Sequence, residues 1–428
     1  MQMKIQNILK RLLQLHPKNV DLSLDRIKRL LKDLNNPQKK IENAIQVVGT
    51  NGKHSVCSAL REIFETAGYS VNMNISPSLR KFNERYYLSG KYILDDQLYD
   101  LLVEVEKVNK NQNITFHEFI CACFFLAASR NKSNVNILES GLFFRLDASN
   151  VLEKNIASVI MPIGMDHKDF LIKGTIDEIV YEKCAHLLGG SKIIVSEQKE
   201  DVLKNIKKNI SKNSSFKIFF EEDYKYTKVN SGFVYKDQKG EINLPYPNLL
   251  GDFQISNVST AISAVRNLDQ FKIKETHIRK AITKIKSEGR LQFIKEGKLR
   301  KYVSNNNKIL IDGAHNILAA KEIEKYLGSL NSGRKIIMLL GMMSNKEHKE
   351  FIQTFKNRVH SIIALNIPNQ VNFIDREKLS EIAQSCGIPS KTESSIELAL
   401  KNVSKENGNA IIFCTGSLYF AGEILNLN

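Results

Sequence analysis

The sequence predicts an α/β protein of two domains, the first on a mainly parallel sheet with a small antiparallel insertion, the second smaller. Three observations carry this. Short apolar strands alternate with helix-period segments along most of the chain, the pattern of βαβ units. A glycine-rich turn joins one such strand directly to a helix near the N-terminus. And 428 residues, 42% hydrophobic and 25% charged, are too many for one ordinary domain and enough for two with their own cores.

Leu24, Ile27, Leu31 and Leu34 fall at helical spacing and predict a helix over 24–34. A short strand, 44–48, ends in Gly49-Thr50-Asn51-Gly52-Lys53-His54-Ser55. Beyond it Val56, Ala59, Leu60, Ile63, Phe64 and Ala67 line one face of a helix that Gly68 stops. A largely apolar helix is expected over 115–130, and buried strands over 135–139 and 156–163. From 216 to 250 the pattern changes to short, alternating, aromatic-bearing strands, read as an antiparallel meander inserted in the first domain. Helices over 258–268 and 276–286 follow. A second α/β cycle begins after Gly289-Arg290, with strands over 308–311, 335–340, 361–365 and 410–414. Helices over 318–327, 346–356, 376–385 and 396–403 separate them. The boundary falls near 287–300, which gives domains of 1–290 and 291–428.

No apolar run approaches the roughly 18–20 residues of a bilayer span, and the N-terminus lacks a signal-type apolar segment. A cytoplasmic protein is expected, its six cysteines reduced and in the core. The formal charge of +16 comes from lysines scattered among Asn and Ser, without an arginine-rich stripe. It reads as a lysine-biased solvated surface, and the charge alone assigns no partner.

Residues 49–55 are the sharpest local signal. A glycine turn at a helix N-terminus aims backbone N–H groups at one point, and the helix dipole and Lys53 add positive charge. The spacing is not the common phosphate-loop motif, whose first glycine would fall at Val47 and whose Ser/Thr would fall at His54. Glu139 ends a strand and His167 follows one, so both reach the ligand-binding edge of a parallel sheet. A carboxylate, an imidazole and a phosphate together suit Mg²⁺ held partly by protein and partly by nucleotide. Taken alone, His167 reads as a loop histidine bonded to backbone. Lys183 alone reads as a solvated helix lysine, and Asp312 as a helix cap.

These segments also appear in a familiar order. Residues 49–55, Ile75-Ser76-Pro77, Phe82-Asn83-Glu84-Arg85, Arg145-Leu146-Asp147-Ala148-Ser149-Asn150-Val151, Gly164-Met165-Asp166-His167 and Glu182-Lys183 come first. Gly251, Gln254 and Asn257, then Gly289-Arg290, Asp312-Gly313-Ala314-His315-Asn316 and Thr415-Gly416-Ser417-Leu418-Tyr419 complete the series. From Asp21 to the C-terminus the chain resembles the bacterial folylpolyglutamate synthase/dihydrofolate synthase family of the Mur ligase superfamily. The resemblance implies a Mur-ligase-type ATPase domain followed by a Rossmann-like one. It implies a ligase that joins glutamate to a pterin-linked carboxylate, which ATP first converts to an acyl phosphate.

By the family pattern Gly49, Thr50, Asn51, Gly52, Lys53, His54 and Ser55 hold the phosphates. Ser76, Glu139 and His167 match Mg²⁺ ligands, and Lys183 matches a lysine carbamylated to help hold a second Mg²⁺. Lys53, His167 and Lys183 are thus the catalytic candidates. Asn257, Arg290 and Asp312 match contacts to adenine, phosphate and ribose, with His315 beside them. Thr115, Phe116, His117, Glu118, Leu146, Asp147 and Ala148 match the pterin pocket. The implied partners are ATP, L-glutamate and a pterin or folate, with no nucleic acid and no membrane, on a monomer. The chain departs from the family pattern at His54, where a glycine is usual, at Phe143-Phe144 in place of two glycines, at Ser78 and at Ile317. These departures bear on substrate selection, and the two phenylalanines are expected to line the pterin pocket. The competing readings are a Mur-type ligase acting on a muramyl precursor, a nucleotide-binding homologue without catalysis, and a nucleic-acid-stimulated ATPase.

Overall fold

A computed structural model describes residues 1–18, 21–330 and 333–428. The chain forms two compact units, Met1–Asn248 with Ile255–Ile285, and Leu249–Gln254 with Lys286–Asn428. The division therefore falls at 285/286 rather than 290/291, and Leu249–Gln254, which runs into the first two residues of the helix Phe253–Arg266, also joins the second unit.

The first unit is built on an eight-stranded sheet. Its parallel body runs Val71–Asn74, Val135–Glu139, Ala44–Val48, Ala157–Ile160, Lys192–Val195 and Phe216–Phe219. Tyr86–Leu88 and Lys91–Tyr92 add an antiparallel hairpin beyond Val71–Asn74. Every residue of Ala44–Val48 and Val135–Glu139 is buried, as expected of central strands covered on both faces. The helices Gln2–Leu12, Asp25–Asp33, Asp95–Asn109 and Phe116–Arg130 pack Ile5, Ile27, Leu98, Phe119 and their neighbours into one core cluster.

Phe216–Phe219, expected in the meander, instead pairs parallel with Lys192–Val195 as the outer strand of the main sheet. The antiparallel sheet is Tyr224–Val229, Gly232–Asp237 and Gly240–Pro245. The strand expected over 156–163 ends at Ile160, and the helix expected from Val56 begins at Lys53.

The second unit carries a six-stranded sheet. Gln292–Ile294 runs antiparallel to Lys308–Ile311; the rest is parallel in the order Lys308–Ile311, Ala410–Thr415, Lys335–Leu340, Ser361–Ala364, Ser390–Thr392. Leu310, Met338, Phe351, Phe355 and Phe413 centre its own core.

Candidate active site

Four adjacent parallel strands of the first unit end on one edge, and each end carries a candidate. In spatial order they are Val71–Asn74 before Ser76, Val135–Glu139, Ala44–Val48 before Gly49, and Ala157–Ile160 before residues 161–167. Parallel pairing makes this convergence unavoidable, because all four chains leave the sheet in the same direction.

The glycine turn is braced by the neighbouring strand end. The N–H groups of Thr50 and Asn51 donate to Pro162 O at 2.9 and 3.2 Å. Thr50 Oγ1 donates to Gly164 O at 3.0 Å and accepts from Gly164 N at 3.1 Å. Gly49, at φ 148°, passes so near Met161 that a Cβ would lie 2.7 Å from that side chain. Gly52 sits at φ 82°, where a Cβ would meet Asn257 Oδ1 at 2.6 Å. Asn257, assigned to adenine by resemblance, therefore packs beside the turn. Lys53 Nζ donates to Gly49 O and Thr50 O, both at 3.1 Å. His54 is half-buried and Ser55 buried.

Lys183 is no solvated lysine: it is 2% exposed. Its Nζ donates to Leu142 O at 2.8 Å and to Gly49 O at 3.0 Å, so two lysine amines share one carbonyl. Burial, with the Lys53 charge adding to it, lowers the Lys183 amine to about 7. Asp166 opposes that shift; its side chain is 8% exposed and adjoins His167. Sequence reading took the histidine from Gly164-Met165-Asp166-His167 and passed over this acid.

Glu139, 5% exposed, accepts the Ser76 N–H at 3.2 Å, and Arg85 Nη1 donates to Ser76 Oγ at 3.1 Å. Ser140 Oγ, next in the chain, is buried without a hydrogen-bond partner. His167, at φ 55°, donates its backbone N–H to Asp166 Oδ1 at 2.9 Å and stands edge-on to Phe143, with ring centroids 6.5 Å apart. Among the described residues no three His, Cys, Asp or Glu side chains gather as a metal site. The donors at hand are few, the Ser76 hydroxyl and Glu139 carboxylate oxygens with the His167 imidazole nitrogen, which fits an ion completed by phosphate and water rather than a protein cage.

Phe143 and Phe144 do not line an open pocket. They are 1% and 0% exposed, in a core cluster with Val48, Ile160, Val180 and Cys184. Phe143 lies under the lysine, its ring centroid 5.5 Å from Lys183 Nζ.

The polar residues matched to a pterin pocket fall into two hydrogen-bonded groups, Thr115 with Glu118 and His117 with Asp147. Thr115 caps the helix Phe116–Arg130 in a capping box with Glu118, which also pairs with Arg26 at 2.9 Å. His117 Nε2 lies 3.4 Å from Asp147 Oδ2 and 3.7 Å from Cys121 Sγ. Burial alone would raise the Asp147 carboxyl, but His117 and the Ser149 hydroxyl and N–H hold it below the usual range. Phe116 and Leu146 are half-buried, and Ala148 is buried. Arg26 and Cys121 carried no motif that sequence reading could have used.

In the second unit Asp312 does not cap a helix. Its Oδ2 accepts Leu291 N at 2.9 Å and its Oδ1 accepts Ala314 N at 2.7 Å. Asn316 is the cap of Ile317–Ser329, accepting Ala319 N at 2.9 Å. Burial raises the Asp312 carboxyl, with Arg290 nearby opposing. His315 Nδ1 lies 3.0 Å from Gly313 O.

Comparison with known proteins matches most of the chain to two family models. Residues 47–265 match the Mur ligase middle domain, and 295–427 match the dihydrofolate synthetase C-terminal domain. The dihydrofolate synthase/folylpolyglutamate synthase of Bacillus subtilis is 27% identical over 420 residues, 94% of each chain. The dihydrofolate synthetase of Saccharomyces cerevisiae is 25% identical, covering 96% of this chain and 98% of that protein. Escherichia coli FolC, solved with DHPP and ADP, superposes with a TM-score of 0.87 at 23% identity, over 99% of this chain and 97% of that one. At that identity the superposition speaks for the fold.

Proposed function

The chain belongs to the Mur ligase family, and from that membership we propose that it is an ATP-dependent ligase adding L-glutamate to dihydropteroate, to tetrahydrofolates, or to both. The curated relatives that span nearly all of the chain carry that activity in their names. The observation that carries the reading is the convergence of Lys53 and Lys183 on the Gly49 carbonyl, at a helix N-terminus without a side-chain cap. Such a turn receives a polyphosphate: the helix dipole and the Lys53 ammonium offset its charge as the terminal phosphoryl moves to the substrate carboxylate. The amine of glutamate then attacks the acyl phosphate, and inorganic phosphate leaves.

Glu139, Ser76 and His167 are the side chains that would hold Mg²⁺ beside the phosphates, where the ion supplies charge neutralisation when bound. Lys183 would bind a second ion once carbamylated. Its supporting property is the lowered pKa, since only a neutral amine captures CO₂. The carbamate nitrogen keeps a single N–H, so at most one of the amine's two bonds, to Gly49 O and Leu142 O, survives the modification. Thr115, Phe116, His117, Glu118, Leu146, Asp147 and Ala148 would contact the pterin; Asn257 in the first unit, and Arg290, Asp312 and His315 in the second, are each matched to nucleotide contacts by the resemblance. The protein works on small molecules as a cytoplasmic monomer. Among the described residues no helix is long and apolar enough to cross a membrane.

The test is phosphate release with ATP, Mg²⁺ and glutamate, given dihydropteroate, a tetrahydrofolate, a muramyl precursor or single-stranded nucleic acid in turn. Release that requires both glutamate and a pterin substrate is expected. Release only with the muramyl precursor or nucleic acid, or ATP binding without any release, would replace this reading.

A further inference from the structure

The helix Ile176–Cys184 ends one residue after Lys183. Its last carbonyls have no donors within the helix, as at any helix C-terminus. The loop that follows Glu139 supplies donors to one of them. The backbone N–H groups of Phe144 and Arg145 both donate to Glu182 O, at 3.1 and 2.8 Å. The Arg145 side chain closes on the same residue: Nε lies 3.0 Å from both Glu182 carboxylate oxygens and Nη2 lies 2.8 Å from Oε1. A guanidinium here also meets the negative end of the helix dipole. The same loop presents the Leu142 carbonyl to Lys183, and it is anchored beneath by the buried Phe143 and Phe144 rings.

We infer that Arg145 and Glu182 form a positioning clamp for Lys183, holding the last turn of its helix in register with the loop so that the amine reaches Gly49 O. The inference rests on the reading of Lys183 as an active-site group. Without the clamp the C-terminal turn is free to fray, as helix ends with unpaired carbonyls do, and the long lysine side chain loses the fixed base that keeps it buried. A lysine at position 145 would keep the charge but not the two-pronged contact.

The experiment compares full-length wild type with Arg145→Gln, Arg145→Lys and Glu182→Gln, well below each melting temperature. Exposure of Lys183 is read first without substrates, by timed acetic anhydride labelling and peptide mass spectrometry. Arg145→Gln and Glu182→Gln are expected to speed labelling of Lys183 about tenfold, with Arg145→Lys in between. In the phosphate-release assay kcat should fall about 10–100-fold, the usual effect of removing a group that orients an active-site ligand, with KM for ATP near wild type. Wild-type labelling at Lys183 in both Gln variants overturns the clamp, as does a wild-type kcat in both. Should Arg145→Gln fail to fold, Glu182→Gln decides, because it retains the two backbone bonds to the Glu182 carbonyl. If wild type turns over no pterin substrate, the functional reading falls while the labelling still decides the clamp.

Discussion

Each unit has a turn that leads from a parallel strand into a helix, and the two turns handle charge in opposite ways. In the first unit the Gly49 carbonyl gathers two lysine amines, and the helix Lys53–Thr66 starts at Gly52 with no side-chain cap. In the second, Asp312 brings its own carboxylate to the turn and fills it with the N–H groups of Leu291 and Ala314, while the Asn316 side chain caps the next helix. One turn gathers two lysine amines on a single carbonyl. The other satisfies itself. Similar topology therefore does not imply similar recognition; the residues decide whether the helix N-terminus faces a ligand or its own cap.

The comparison breaks first at Lys53. Lys53→Ala should lower kcat roughly 10²–10³-fold, the scale of removing one group that stabilises transition-state charge, while urea denaturation stays close to wild type. A variant that keeps full turnover would mean that the first turn is as self-contained as the second. Asp312→Ala should act on stability as well as on nucleotide binding, costing about 1–3 kcal/mol for each backbone N–H left buried and unpaired. Asp312→Asn, which keeps an acceptor, should cost less. Equal stability of all three proteins in denaturant titrations would show that Asp312 does not hold its turn together.

The pH dependence sharpens the contrast. Unfolded, Lys183 has the ordinary lysine pKa of 10.5; folded, it titrates at about 7. Below about pH 7 both states hold the proton, and above 10.5 neither does. Between those values the unfolded chain binds the extra proton, so folded stability rises with pH across the window. Lys183→Met should remove that rise, and parallel stability curves for the two proteins from pH 7 to 10 would refute a buried titrating amine. The smallest effect is expected at the second turn's cap: Asn316→Ala should cost about 1 kcal/mol in thermal or chemical melts without changing KM for ATP.

How much of this was legible from the sequence varies with the physics behind each feature. The strands Val135–Glu139, Lys308–Ile311 and Lys335–Leu340 were readable to the residue because each is a nearly unbroken apolar run ending at a turn or charge. Phe216–Phe219 was misplaced because it is only partly covered, with Phe216 exposed and Ile218 alone buried, and so lacks the continuous apolar run of a parallel strand covered on both faces. The hairpin Tyr86–Leu88 with Lys91–Tyr92 is too short to leave a periodic signal. Of the site, the glycine turn and Glu139 were visible, since turn chemistry and strand ends are local. The burial of Lys183, the part played by Asp166 and the packing of Phe143 were not, because each depends on a neighbour far away in sequence. The same holds for Arg145 and Glu182, which are 37 residues apart.

The segment Leu249–Gln254 belongs to the second unit although the chain on both sides of it belongs to the first. Phe253 packs against the second unit's core, and Gly251, at φ 94°, runs so close to Phe253 and Leu291 that a Cβ would lie 2.5 and 3.0 Å from their side chains. A gene truncated to begin at Lys286 would encode every strand of the six-stranded sheet and still produce a damaged fragment. Leu291 and its neighbours would lose the cover of Phe253 to water. Anyone wishing to study this half in isolation should graft the missing hexapeptide back through an artificial linker, because no single scission of the chain separates the two halves intact.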